Sequence, residues 1–270
     1  MSDTDLPADP DLLLALARRL ALGAAELLLD GLTAGTAIAG TKSSDTDLVT
    51  EVDRAAEAFI VEGLRRSRPD DAIRGEEGTE EAGTSGLTWV IDPIDGTTNF
   101  VYGHSGFGVS IAALVDDAPV VGVVADPLHD DLFTARRGGG AERNHAPIRA
   151  SSADRLDLAL VATGFSYESA RRSRQAGVLT HVLPQIRDIR RMGSAAVDLC
   201  SAACGRVDAY YERGLHLWDY AAGWLIATEA GARVGDLAGG PPSSEFLLAA
   251  PPALYDQLAT LLREAGAADA

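Results

Sequence analysis

The chain has 270 residues, of which 46% are hydrophobic, 23% charged and only 6% aromatic. That suffices for a sizeable core resting on Leu, Val, Ile and Ala, and no apolar run approaches the roughly 20 residues that a bilayer crossing needs. Forty acids against 23 bases give a formal charge of −17, a field that repels a polyphosphate backbone and argues against direct nucleic-acid contact.

Asp9, Pro10 and the Leu- and Ala-rich stretch to Asp30 predict an opening helix, capped by Asp9 and ended by Gly31. Gly31 to Ser44 reads as a polar loop. A second helix is predicted from a Thr50 cap, with Asp53 three residues on, to Arg66, followed by a turn at Arg68 to Asp71. Thr88 to Ile91 is a short apolar strand ending in Asp92, where Pro93 stops the ladder. Gly106 to Val115 and Val120 to Ala125 read as paired strands joined by an Asp116-Asp117 turn, and Gly138 to Gly140 as a loop.

The second half alternates. Strands are predicted near Leu158 to Ala162, Val207 to Tyr211 and Phe246 to Ala249. Helices are predicted from Glu168, from Ser194 to Cys204, from Trp218 to Ala230 and at the end to Arg263. Mixed strands and helices throughout point to a layered α/β fold. Acidic Asp3, Asp5 and Asp9 stand where a secretory signal is basic, which predicts a cytoplasmic protein. Cys200 and Cys204, the only cysteines, read as small buried hydrophobes.

The chemistry concentrates in Asp92-Pro93-Ile94-Asp95-Gly96-Thr97. Two carboxylates on a tight strand-to-helix turn can converge on hard cations, which prefer oxygen ligands. Gly96 lets the backbone approach a ligand, and a helix starting at Thr97 or Thr98 offers free N–H groups to an anion. Together these are the parts of metal-assisted phosphoryl chemistry. The bland alternative is a turn in which Asp92 and Asp95 cap a helix. Glu76 and Glu77, set between Gly75 and Gly78, and Asp219, after Trp218 at the head of an apolar helix, are further acids that read locally as solvated surface and a helix-end charge.

Taken in order, these motifs resemble the inositol monophosphatase family. Asp92 to Phe100 is similar to its first signature and Trp218 to Gly231 to its second. Lys42 to Asp53, Gly75 to Glu77, Gly193 to Ala196 and Tyr210 to Glu212 fall in family order between and before them. The resemblance implies an αβαβα sandwich shared with fructose-1,6-bisphosphatase. It implies one catalytic unit over residues 1–270, with a metal-site α+β half at 1–150 and a substrate-side α/β half at 151–270.

It also implies two to three Mg²⁺ ions. Glu76, Asp92 and the Ile94 carbonyl would hold the first, Asp92, Asp95 and Asp219 the second, and Glu76 a weaker third. Thr97 would hydrogen-bond the attacking water and Asp53 would orient Thr97, the two acting as a positioning and proton-accepting pair. Gly96 and Thr97 would grip the phosphate through their N–H groups. Gly193, Ser194 and Ala195 would face the polyol, and Glu212, Asp95 and Asp219 would contact the substrate. Asp53 as a plain cap partner of Thr50, and Glu212 as an exposed acid paired with Arg213, remain the local alternatives.

The implied activity is Mg²⁺-dependent, Li⁺-sensitive hydrolysis of inositol 1-phosphate by a homodimer that binds neither nucleic acid nor membrane. Histidinol phosphate or another small sugar or polyol phosphate is the alternative substrate, and a regulatory binding protein the alternative class. The Arg171-Arg172 and Arg190-Arg191 pairs read as solvated faces, and the five histidines show no ligand spacing.

Overall fold

The computed structural model describes residues 7–35, 38–41 and 48–270. Lys42, Asp3 and Asp5 lie outside these described residues, as does part of the predicted loop. Helix α1, Pro10–Ala34, starts as the sequence predicts: Asp9 accepts the Asp11 N–H at 2.9 Å and Pro10 fills the first turn. It then overruns the predicted stop. Gly31 is interior to the helix because the next helix crosses close by; a Cβ there would lie 2.7 Å from Val52 Cγ2. Gly35, at φ 84°, ends α1 instead.

A second correction follows directly. The stretch read as loop contains β1 (Ile38–Thr41), which pairs antiparallel with β2 (Leu48–Thr50). Helix α2, Glu51–Ser67, is capped by Thr50 with Asp53 closing a reciprocal box, as its sequence predicts.

The large sheet contains eight strands. They are β3 (Ala72–Gly75), β4 (Glu80–Glu81), β5 (Thr88–Asp95), β6 (Gly108–Val115), β7 (Ala118–Asp126), β8 (Asp131–Arg136), β9 (Ala141–Arg143) and β10 (Ala146–Pro147). Their order is β10-β9-β8-β7-β6-β5-β3-β4, with only β3 and β5 parallel. The predicted hairpin is present: Asp116 and Asp117 both take positive φ, 51° and 58°, as a tight two-residue turn requires. The predicted end of β5 is not. Pro93 stays within the strand, and the ladder resumes with Asp95 opposite Gly108 after Asp92 opposite Ser110. Three steps on one strand against two on the other make a β-bulge. Short α3, Thr97–Tyr102, follows at once.

The smaller sheet runs in the order β12 (Asp188–Arg190), β11 (Leu160–Thr163), β13 (Ala209–Glu212), β15 (Leu247–Ala250), β14 (Arg233–Gly235). Four helices accompany it: α4 (Ser169–Val182), α5 (Ala195–Ala203), α6 (Leu217–Glu229) and α7 (Pro252–Glu264). Three apolar clusters define the layers. Leu20, Ala24, Ile60 and Leu64 of α1 and α2 pack on Trp89 and Ile111 of the large sheet. Leu199, Cys200 and Ile226 of α5 and α6 fill the space between the sheets, against Phe133 on one side and Tyr210 on the other. Val178 and Leu258 of α4 and α7 cover the far face at Val161 and Leu248. The result is the five-layer αβαβα arrangement. Cys200 is a buried hydrophobe as predicted, while Cys204 is half-buried, and both are free thiols.

The middle layer sits close against the large sheet at one point. Gly122 of β7 faces the α6 backbone, where a Cβ would lie 2.7 Å from Ala222 O and 3.1 Å from its Cα. Neither atom can rotate away. Gly122→Ala is therefore expected to lower stability by about 1–3 kcal/mol, read as an earlier urea midpoint. An unchanged midpoint would show that α6 has room to retreat.

Candidate active site

Asp92 and Asp95 lie three residues apart, and in a regular pleat they would point to opposite faces. The bulge inserts one residue between their pairing positions and turns both to one side. Pro93 suits this break because it has no N–H to give the ladder. Asp219, in the first turn of α6, completes the group: one oxygen of each carboxylate lies within 4.8 Å of the others. Each is pinned by hydrogen-bond donors, those of Asp92 and Asp219 close by in the chain and those of Asp95 at the start of α5. Asp92 accepts the Ile94 N–H at 3.0 Å, Asp219 the His216 N–H at 2.7 Å, and Asp95 both the Ser194 hydroxyl at 2.7 Å and the Ala196 N–H at 2.6 Å.

These acids are hard to ionise where they stand. Asp92 is 1% exposed and Asp95 9%. Burial first, then the charges of Glu76, Asp95 and Asp219, push Asp92 far above the ordinary carboxylate range. Burial lifts Asp95 to about 7 against the pull of its Ser194 and Ala196 hydrogen bonds. Asp219 is raised by burial and by Asp95 and Glu76. The Glu76 charge acts on all three, so it belongs to the same constellation. An all-oxygen set of this kind suits a hard divalent cation, which would offset both the burial and the mutual repulsion of these charges.

Asp53 stands behind this group, fully buried at the head of α2. Its two readings are two ends of one carboxylate. Oδ2 accepts the Thr50 N–H at 2.7 Å, and Oδ1 faces the Thr97 hydroxyl at 3.2 Å. Thr97 Oγ1 also lies 3.0 Å from the Ile94 carbonyl, and its single proton can serve one acceptor at a time. Gly96, at φ 94°, makes the turn into α3, and a Cβ there would lie 2.7 Å from Gly106 O.

A cavity of about 620 Å³ opens over these groups. Of the site residues singled out in the sequence, all line it except Asp53 and Ser194, which are buried. Ser194 acts through its hydroxyl, which holds Asp95 and caps α5 at the Val197 N–H. Gly193 and Ala195 reach the cavity on either side of it.

Glu212 closes the opposite wall at the end of β13. Its Oε2 accepts the Tyr210 hydroxyl at 2.6 Å, and burial raises its pKa against the opposing effects of Tyr210 and Arg191. A side chain on Gly164 would overlap the Glu212 carboxylate, so that glycine leaves its place open. The pairing of Glu212 with Arg213 is not what the fold builds. Arg213 donates to the Ala270 carbonyl at 2.7 Å and sits 3.4 Å from Glu245.

Other readings also change. Arg172 donates to the Ser166 and Tyr167 carbonyls and Arg190 pairs with Asp188, but Arg171 and Arg191 line the cavity. His216 also lines it, caps α6 and stacks on Trp218 at 4.9 Å, so it is part of the wall. Sequence reasoning missed Glu57, one turn beyond Asp53 on α2, and Asp198. The latter is 1% exposed, with Oδ1 lacking a hydrogen-bond partner and its pKa raised first by burial. An acid interrupting the apolar run of α5 was the available signal.

The match to known proteins runs through the same parts. The sequence profile of the inositol monophosphatase family covers residues 9–267. Inositol-1-monophosphatase SuhB of Mycobacterium tuberculosis is 47% identical over 234 residues, 82% of this chain and 80% of that protein. Nus factor SuhB of Pasteurella multocida is 42% identical over 250 residues, 91% and 94% of the two chains. The crystal structure of extragenic suppressor protein SuhB from Bartonella henselae superposes with a TM-score of 0.88 at 33% identity, over 94% of this chain and 99% of that one. Because the profile spans both sheets and the helices between them, it takes in every element that delivers a residue to the cavity, and the chain belongs to the inositol monophosphatase family.

Proposed function

We propose that the chain is a Mg²⁺-dependent phosphomonoesterase that hydrolyses a small phosphorylated polyol of the inositol 1-phosphate type. The observation that carries this reading is the convergence of Asp92, Asp95 and Asp219 oxygens beside the buried Thr97–Asp53 pair. The donor set fits the cation, being all oxygen, with carboxylates raised in pKa first by burial and then by one another's charge. Glu76, Asp92 and the Ile94 carbonyl would hold one ion and Asp92, Asp95 and Asp219 a second, with Glu76 reaching a third. Bound there, such ions supply charge neutralisation at the phosphoryl oxygens and a more acidic water.

The protein's own groups do the rest. Were the Ile94 carbonyl taken up as a ligand, the Thr97 hydroxyl would donate to Asp53 and turn a lone pair toward the attacking water. Asp53, already held by Thr50, fixes that orientation and takes up the proton released. The Gly96 and Thr97 N–H groups hold the phosphate. Gly193 and Ala195 face the polyol, and Glu212, with Asp95 and Asp219, accepts its hydroxyls. Rate enhancement then rests on positioning and electrostatics. A Li⁺-sensitive homodimer in a reducing cytoplasm belongs to the same reading.

Relatives named Nus factor favour a second reading, in which this chain is such a factor and acts through its surface. The complete acidic constellation supports catalysis, and the −17 charge argues against direct nucleic-acid contact. Turnover that disappears in Asp95→Asn would reject a surface role as the whole function.

The first test is phosphate release from inositol 1-phosphate and from histidinol phosphate, with and without Mg²⁺. Metal-dependent turnover favouring inositol 1-phosphate is expected; preference for histidinol phosphate would overturn the substrate, and no turnover the activity. Asp92→Asn should lower turnover at saturating Mg²⁺ by at least about a hundredfold while circular dichroism stays native. Normal activity in that variant would remove Asp92 from the ligands.

The pKa shifts predict a pH trend in chelator. Folded-state values above the unfolded ones stabilise the protein at low pH, and that contribution is lost as pH rises through about 7. The melting temperature in chelator should therefore fall from pH 5 to pH 8, with a shallower slope in Asp95→Asn. Added Mg²⁺ should raise it more at pH 8, and an equal rise at both ends would contradict the assignment.

A further inference from the structure

We propose that Glu57 is a positioning residue that fixes Glu76 at the carboxylate cluster and thereby sets the affinity for divalent cation. Glu57 lies on α2, is 4% exposed, and reaches across to the turn between β3 and β4 that carries Glu76. Both of its oxygens are engaged there. Oε2 accepts the Glu77 N–H at 2.8 Å; Oε1 accepts the Thr79 N–H at 3.1 Å and the Thr79 hydroxyl at 2.6 Å. The approach needs Gly75, since a Cβ on it would lie 2.5 Å from Glu57 Oε2. On its other side the turn is tied to β5 by the Glu76 N–H and the Ile91 carbonyl, at 3.2 Å, next to Asp92.

The placement on α2 gives this contact its meaning. Asp53 and Glu57 are one helical turn apart and share a face. Asp53 reaches Thr97 and Glu57 reaches the turn that carries Glu76, so one rigid helix sets the spacing between the water-positioning hydroxyl and the outer metal ligand. Another negative charge beside an acidic cluster is electrostatically unfavourable. A carboxylate stands there because three donors must be accepted from two oxygens. Glutamine has one acceptor oxygen, and its NH₂ would face an N–H. Loosening this clamp would let Glu76 drift while leaving Asp92, Asp95 and Asp219 with their own backbone partners.

This inference rests on the metal-dependent reading above, and the test separates the two. Mn²⁺ binding to the full-length protein is measured by calorimetry, and exchange of the Glu77 and Thr79 amides is followed in chelator. Glu57→Gln should weaken Mn²⁺ binding about tenfold or more and speed exchange at both amides. In turnover, KM for Mg²⁺ should rise by more than kcat falls. Thr79→Val, which removes one donor and keeps the Glu57 charge, should shift affinity the same way by less, and Thr79→Ser should restore it. Wild-type Mn²⁺ affinity in both Glu57→Gln and Thr79→Val, with only the melting temperature lowered, would reduce Glu57 to a structural residue and overturn the proposal. A wild-type protein that binds Mn²⁺ but hydrolyses no phosphate ester would sink the phosphatase reading and leave the Glu57 result standing. One that binds no Mn²⁺ would overturn both.

Discussion

Repulsion among buried carboxylates is the constraint on which the rest of this structure depends. Two unit charges at the 4.8 Å limit found among the Asp92, Asp95 and Asp219 oxygens interact by about 3–4 kcal/mol at an effective dielectric of about 20. Three such pairs amount to roughly the whole folding stability of an ordinary domain, about 5–15 kcal/mol. The fold tolerates this because burial first, and neighbouring charge after it, keeps the acids from full ionisation without a cation; Asp95 is lifted in this way to about 7. Each acid is also fastened by donors from its own neighbourhood, so repulsion cannot relax by swinging the side chains out. The same pinning keeps the oxygens ready for a cation, with little reorganisation left to do.

The five layers explain how acids remote in sequence come to share one cavity. The large sheet contributes the bulge, the middle layer contributes Asp219 and the donors for Asp95, and the outer helix α2 contributes Asp53. The smaller sheet supplies Glu212 on the far wall. Backbones must approach closely for this to work, and glycines sit at those places. Gly122 lets α6 lie on the large sheet, and Gly164 leaves room for the Glu212 carboxylate. Arg171 and Arg191 on the same cavity wall place positive charge near the acids in a chain whose overall field is strongly negative. An anionic substrate therefore meets a mixed surface, and not the uniform repulsion that the net charge alone suggests.

What the sequence made legible is what local rules govern. The Thr50–Asp53 box, the Asp116-Asp117 turn, the helix at Leu217 and the layered class all follow from spacing and residue type within a few positions. The failures are places where a distant residue decides. Gly31 looks like a helix stop until Val52 is seen against it, and Pro93 looks like a strand end until Ser110 and Gly108 show the bulge. Short strands such as β4, β10 and β14 have too few residues to show alternation. Glu57 was hidden because an acid on a helix is ordinarily solvated, and only the turn at Glu77 and Thr79 shows that this one is buried.

Several side chains serve folding and site geometry with the same atoms, and this limits how the two can be separated. The Ser194 hydroxyl caps α5 and holds Asp95; the Asp53 carboxylate caps α2 and faces Thr97. Removing either would loosen a helix end, typically about 1 kcal/mol, and misplace a reacting group at once. Helix caps are rigid because their hydrogen bonds are short-range and satisfy backbone donors that have no other partner. Borrowing that rigidity lets a catalytic group be located without extra residues to support it. Asp53 and Asp219 accordingly stand in the first turns of their helices and Asp95 at the end of its strand against the start of α5, where backbone N–H groups are available to hold them.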